Sequence, residues 1–194
     1  MHIEQTPLQG LLILTPPRFA DSRGFFSESW NRQRALAAGI DLDFVQDNHS
    51  LSHQPGTVRG LHFQAPPHAQ AKLVRCGRGR LLDVAVDIRR GSPTFAQSFS
   101  IELSARNGRH LLIPVGFLHG FVTREADTEI VYKCSDYYAA DCDRAVRFDD
   151  PQIAVDWGID PASAILSPKD AAAPLLADID IPFAFEHPGA GNAP

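Results

Sequence analysis

Arg80-Leu81-Leu82-Asp83-Val84-Ala85-Val86-Asp87-Ile88 is the stretch that decides the fold class. Leu82, Val84, Val86 and Ile88 alternate with Asp83, Ala85 and Asp87. A period of two belongs to an extended strand whose successive side chains point to opposite faces. The alternation predicts one core face and one more polar face. Working outward, comparable runs recur through residues 43–138: Phe44 to Ser50, Thr57 to Gln64, Gln70 to Cys76, Gln97 to Leu103, Arg109 to Ile113, Gly116 to Thr123 and Asp127 to Cys134. His53-Gln54-Pro55-Gly56, Ala65-Pro66-Pro67, Gly77-Arg78-Gly79, Arg90-Gly91-Ser92-Pro93, Asn107-Gly108 and Pro114 separate them, all turn or breaker signals. Short strands at regular spacing predict an all-β sandwich or barrel and disfavour a parallel α/β fold.

The flanks differ. An N-terminal arm, residues 1–42, carries one amphipathic helix over Ser29 to Ala38, with Trp30, Leu36 and Ala37 on its inner side and Gly39 as a stop. In the C-terminal tail, residues 139–194, the segment 151–175 reads as short helical turns and loops, with Pro161-Ala162-Ser163 as a helix start, and the last eight residues read as frayed. At 194 residues and 44% apolar content, the chain has enough material for one sizeable core, and one domain is expected over 1–194.

Composition excludes several function classes. Net charge is −5, with acidic and basic residues interspersed and no basic block, which argues against a nucleic-acid partner. The early apolar run Leu11 to Leu14 is far below membrane-spanning length, so no membrane is expected. Cys76, Cys134 and Cys142 are an odd set without CxxC spacing, pointing to a reducing, cytoplasmic compartment rather than a disulfide framework or zinc cluster. Gly77-Arg78-Gly79 lacks the third glycine of a dinucleotide fingerprint, and no P-loop or GxSxG elbow is present. His62-Phe63-Gln64 lacks the second histidine of an HxH pair and no glutamate follows at short spacing, so no metal is expected.

Chemistry concentrates in Thr57-Val58-Arg59-Gly60-Leu61-His62-Phe63-Gln64, where a guanidinium and an imidazole interrupt an apolar run. An unpaired cation in such a place is costly enough to mark a ligand or a counter-ion. On a regular strand His62 shares a face with Val58, Gly60 and Gln64 while Arg59 points away. Both reach one ligand only if Gly60 hosts a bulge, or if Arg59 serves a neighbouring subunit. From this strand alone His62 reads equally well as a hydrogen-bonded core histidine. Lys72 is either a snorkelling edge lysine or a fixed charge near a developing oxyanion. Tyr132 packs or donates a proton; His119, between Phe117 and Phe121, is a core residue or a ligand contact; Asp170 is solvated unless it reaches His62 and orients the ring.

Taken together, these segments resemble the dTDP-4-dehydrorhamnose 3,5-epimerases. The resemblance runs in order through Asp21-Ser22-Arg23-Gly24-Phe25-Phe26 with Glu28, Gln46-Asp47-Asn48-His49-Ser50, Val58 to Gln64, Gln70 to Val74, Asp83 to Arg89, Gly91 to Phe95, Pro114 to Phe121, Tyr132-Lys133, Tyr137-Tyr138, Asp149-Asp150-Pro151 and Leu166 to Asp170. It implies a mainly β, cupin-type double-stranded β-helix (jelly roll) with a few short helices. It also implies cofactor-independent epimerisation at carbons 3 and 5 of dTDP-4-keto-6-deoxy-D-glucose, giving dTDP-4-keto-L-rhamnose for dTDP-L-rhamnose biosynthesis. By the resemblance His62 is the proton acceptor, Asp170 its orienting partner, Tyr132 the proton donor on the opposite sugar face, and Lys72 lies near the 4-keto oxygen. Arg23, Glu28, Gln46, Asp47, Asn48, Arg59, His119, Tyr138, Asp143 and Lys169 are the implied substrate contacts. A homodimer with exchanged N-terminal strands is implied too, with Arg23 and Glu28 serving the partner's site. Three departures stand out: Asp143 where the family usually has glutamate, Ala145 for the following glycine, and Phe63 for a frequent tyrosine, while Pro168 stiffens the loop before Asp170. The alternatives are an epimerase acting at carbon 5 or carbon 3 only and, from another class, a non-catalytic sugar-nucleotide binding module.

Overall fold

The computed structural model describes residues 1–186, so the frayed end expected for the last eight residues lies outside the described residues. Thirteen strands form the scaffold: β1 (His2–Gln5), β2 (Leu12–Thr15), β3 (Phe19–Asp21), β4 (Gly24–Phe26), β5 (Gln46–Ser52), β6 (Val58–Gln64), β7 (Lys72–Arg78), β8 (Arg80–Asp87), β9 (Ser98–Ser104), β10 (His110–Ile113), β11 (Phe117–Thr123), β12 (Thr128–Cys134) and β13 (Asp143–Ala145). A six-stranded sheet, ordered β1-β2-β10-β7-β12-β5, faces a five-stranded sheet, ordered β13-β6-β11-β8-β9, and β3 and β4 form a separate hairpin. The pairings are antiparallel, giving the jelly roll of a cupin-type fold.

Every strand read from the middle of the sequence is present, with ends displaced by one or two residues. The largest displacements, two residues at each end, are in β5, which begins at Gln46 rather than Phe44, and in β7, which begins at Lys72 rather than Gln70. Phe44 instead leaves the sheet and packs edge-on against Trp30, with ring centroids 4.8 Å apart. The arm and tail hold what the pattern missed: β1 to β4 and β13, each three or four residues long.

Three apolar layers account for the stacking. Between the sheets lie Val74, Leu81, Ala85, Leu111, Ile113, Phe117, Phe121 and Ile130. Outside the five-stranded sheet, the tail's Val146, Phe148, Ile153, Trp157, Leu176, Ile181 and Phe183 cover Val58, Leu61, Phe63, Val84, Val86 and Leu118. Outside the six-stranded sheet, Ala35 and Ile40 of the arm cover Leu14, Leu73 and Leu112. Each fully buried aliphatic side chain contributes roughly 2 kcal/mol, so both flanks are part of the stabilised unit.

Two details correct the sequence reading. The helix α1 spans only Arg32–Ala37, capped by Asn31, whose side chain accepts from the Arg34 N–H at 3.0 Å. That late start rotates its inner face onto Ala35, leaving Leu36 half exposed at 51%. The polar face expected on β8 is also buried, since Asp83, Ala85 and Asp87 are each 0% exposed. Alternation reports polarity, and these carboxylates have internal partners. Asp87 accepts from Arg89 Nη2 at 2.7 Å, Ser92 Oγ at 2.6 Å and Thr94 Oγ1 at 2.7 Å.

The decisive local feature is a phase slip in β6. Against β11, His62 pairs with His119 and Arg59 with Phe121, so three residue steps on β6 match two on β11. Gly60 is the extra residue. Val58 and Leu61 therefore both face the tail, and Arg59 and His62 share the inner face instead of His62 sharing it with Val58. The slip demands glycine: Gly60 has φ +129°, and a Cβ there would lie 2.5 Å from Gly120 Cα and 2.9 Å from the His119 carbonyl oxygen. Gly60→Ala is expected to destabilise the fold by about 2 kcal/mol or more, read as a lowered urea midpoint.

His110, on the outer face of the six-stranded sheet, supplies a pH dependence. Burial, reinforced by Arg75 and Arg18, lowers its pKa from 6.5 to about 4. As pH falls through about 6.5 the unfolded chain takes up a proton that the folded chain refuses until about 4, so stability falls across that window. His110→Gln is expected to flatten the urea midpoint between those pH values, removing a dependence on the order of 3 kcal/mol.

Candidate active site

The phase slip opens the inner face of β6 onto a cleft between the sheets. One lobe of about 420 Å³ is lined by Ser50, Arg59, His62, Lys72, His119, Tyr132, Ser167, Lys169 and Asp170 among others. A second lobe of about 200 Å³ shares His62, Lys72, Tyr132 and Lys169 with it and adds Gln46, Asn48, Gln64, Tyr138 and Asp143. Polar side chains from both sheets and from the tail thus converge on one space.

His62 is held by the tail. The helix α2 (Pro168–Ala171) begins at Ser167, whose hydroxyl accepts from the Asp170 N–H at 3.1 Å, with Pro168 preorganising the first helical position. This turn brings Asp170 Oδ1 to 2.5 Å from His62 Nε2, and Asp170 is only 4% exposed. Burial pushes the Asp170 carboxyl up, but hydrogen bonds from His62 and Ser167 outweigh it and leave it below the usual carboxylate value. An ionised Asp170 accepts a hydrogen bond from Nε2–H, and with Nε2 carrying the hydrogen the Nδ1 lone pair is the one free to take a proton.

Across the cleft, on the other sheet, stand Lys72 and Tyr132. Lys72 lies opposite Cys134 on the β7–β12 ladder, with Tyr132 one step along the same face. Burial lowers the Lys72 pKa against the pull of Cys134, Asp143 and Asp83. Burial also raises the Tyr132 phenol above its ordinary value of 10, so it carries its proton at neutral pH. Beside His62, His119 Nε2 meets Asp83 Oδ1 at 2.9 Å, a second imidazole and carboxylate pair on the same floor. Asp83 Oδ2 is buried without a hydrogen-bond partner among the described residues.

The mouth is built from long side chains. Arg59 is braced by Ser52 Oγ at 3.2 Å and the Leu51 carbonyl at 3.1 Å. Lys169 pairs with Asp143, which also accepts from the Tyr138 hydroxyl at 3.2 Å. Gln46 donates to Asn48 at 3.0 Å and accepts from the Tyr138 N–H at 2.9 Å. Tyr137 and Tyr138 are exposed beside it. The short strand β13, unseen in the sequence, delivers Asp143 opposite Gln64.

Not every sequence candidate arrives. Asp47 is on the opposite face of β5 from Gln46 and Asn48 and pairs with Lys133 at 2.8 Å, because neighbouring strand residues point to opposite sides. Arg23 sits at the tip of the β3–β4 hairpin, paired with Asp21, and Glu28 pairs with Arg34 at 3.2 Å; neither lines this chain's cleft. Conversely, the cleft contains Ser50 and Ser167, which sequence reading passed over. A signal existed for the second: Ser167-Pro168-Lys169-Asp170 has a cap residue, a first-turn proline and an acid three places on. Among the described residues no three His, Cys, Asp or Glu side chains are grouped to hold a metal.

The sequence model of the dTDP-4-dehydrorhamnose 3,5-epimerase family matches residues 5–178. The chain belongs to this family. It is therefore an isomerase of the epimerase type. It is 45% identical over 185 residues to the dTDP-4-dehydrorhamnose 3,5-epimerase of Sinorhizobium fredii, covering 95% of this chain and 94% of the relative. It is 48% identical over 179 residues to that of Salmonella typhimurium, covering 91% and 96%. Among solved structures it resembles the 3,5-epimerase from Legionella pneumophila in complex with dTDP-4-keto-L-rhamnose, with TM-score 0.91, 44% identity and coverage of 96% of this chain and 99% of the other.

Proposed function

We propose that the cleft epimerises carbons 3 and 5 of dTDP-4-keto-6-deoxy-D-glucose to give dTDP-4-keto-L-rhamnose, in the route to dTDP-L-rhamnose. The observation that carries this reading is His62 on one sheet, held by Asp170 of the tail, facing the protonated Tyr132 and Lys72 on the other sheet. Protons at carbons 3 and 5 are both α to the carbon 4 ketone, so their acidity depends on charge stabilisation at one oxygen.

His62 Nδ1 takes the proton, and the C–H electron pair moves onto the carbonyl oxygen as an enolate. The Lys72 side chain donates a hydrogen bond to that oxygen. The enolate then collapses, its carbon taking a proton from the Tyr132 hydroxyl on the opposite face, which restores the ketone and inverts the centre. Proton exchange with water returns both groups to their starting states. Asp170 keeps its charge throughout and stabilises the imidazolium that forms. Arg59, Lys169, His119, Gln46, Asn48, Tyr138 and Asp143 bind the nucleotide and the sugar, the cations opposing the diphosphate. No step needs a cofactor.

The hairpin arm completes the assembly. Phe19, Phe25 and Phe26 are 63%, 58% and 69% exposed, an apolar surface with little to cover it within one chain. In our reading it inserts into a second copy, so that Arg23 and Glu28 reach the partner's cleft in a homodimer with exchanged strands. We also infer one domain across arm, barrel and tail, since both flanks close on the same two sheets. Three buried free thiols agree with a reducing, cytoplasmic setting.

Two experiments test this. Proton NMR of the substrate in heavy water is expected to show deuterium entering at carbons 3 and 5 with rhamnose configuration formed; exchange at one carbon selects a single-centre epimerase. His62→Ala is expected to slow turnover by about 10²–10⁴-fold, and Tyr132→Phe to admit deuterium without inversion. Wild-type turnover in His62→Ala sinks the assignment. For the dimer, Arg23→Ala and His62→Ala chains, each nearly inactive alone, are expected to recover up to about a quarter of wild-type rate when mixed and re-formed, because mixed dimers hold one intact site. No recovery means Arg23 acts within its own chain.

A further inference from the structure

Asp170 is the residue on which the orientation of His62 depends, and both of its carboxylate oxygens are engaged. Oδ1 meets His62, while Oδ2 accepts a hydrogen bond from Ser167 Oγ at 2.9 Å. The same Ser167 oxygen accepts the Asp170 backbone N–H at 3.1 Å. One hydroxyl thus ties the main chain and the side chain of one residue, and closing both contacts fixes where its hydrogen points. We propose that Ser167 is a positioning residue for the epimerisation, holding the Asp170 carboxylate in the orientation that meets His62 Nε2. The inference rests on the reading of His62 as the base.

Three facts carry it. Asp170 is 4% exposed, so an oxygen losing its donor there is left poorly satisfied. The helix α2 is four residues long, too short to be stable by propensity, so its cap decides where Asp170 stands. Ser167 also lines the cleft, within the same wall as the pair that it would position. Misplacing a catalytic group slightly is enough to lower its rate strongly, since proton transfer needs near-attack geometry.

The test separates a hydroxyl that orients the carboxylate from one that only caps a helix. Ser167→Gly keeps most of the cap's stability but has no donor, and Ser167→Thr keeps both cap and donor. Ser167→Ala and Ser167→Gly are expected to lower kcat about tenfold with KM within about threefold, Ser167→Gly with a Tm no lower than that of Ser167→Ala, and Ser167→Thr to recover most of the rate. In an Asp170→Asn background, Ser167→Ala is expected to add no further loss. Unchanged kcat in Ser167→Gly, or an undiminished extra loss in the Asp170→Asn background, overturns the positioning role while leaving the base assignment intact. Wild-type rate in Asp170→Asn itself overturns the pair and this inference with it.

Discussion

The close approach of Gly60 and Gly120 is the constraint on which the site depends. A Cβ at Gly60 would lie 2.5 Å from Gly120 Cα, and one at Gly120 would lie 2.9 Å from the Arg59 carbonyl oxygen. Only two glycines let β6 and β11 pass at this point, and only this passage admits the extra residue. Without it Arg59 and His62 would point to opposite sides of the sheet. One would enter the apolar layer beneath the tail, a costly place for either.

From that slip the division of labour between the sheets follows. The five-stranded sheet carries the imidazoles, each backed by a carboxylate, while the six-stranded sheet carries the Lys72 amine and the Tyr132 phenol. Removing a proton from one face of a planar enolate and returning one to the other requires opposed groups, and two facing sheets provide them. The outer layers have a second use. By burying Ile153, Trp157 and Leu176 against the barrel, the tail anchors the segments on either side of α2, and so fixes the turn that delivers Asp170. Asp150, 1% exposed, ties this tail together by accepting from the Ile153 and Leu176 N–H groups.

Much was legible in the sequence where periodicity was long enough to be read. The strands from β5 to β12 stood out because each is four to eight residues of alternating or continuous apolar character bounded by turn formers. The bulge at Gly60 is a condition set by the sequence, since two polar groups three residues apart on a strand cannot otherwise share a face. Asp47 failed for the matching reason: a motif names neighbours, but a strand sends alternate neighbours to opposite sides. Leu36 failed because the helix begins three residues later than its apolar pattern suggested, and Asn31 decides that start.

The sequence by itself determined the central strands β5 to β12, the family, and the set of residue types able to move a proton, because those rest on local pattern and on chemistry carried by single side chains. Only the tertiary structure decided which of them meet. Asp170 lies 108 residues from His62 along the chain, and Asp83 lies 36 from His119. Such pairs form through the packing of a tail and the register of strands, which no local pattern encodes. The same holds for Asp83 and Asp87, polar in sequence yet buried in the fold, because burial is a property of what the neighbouring elements cover.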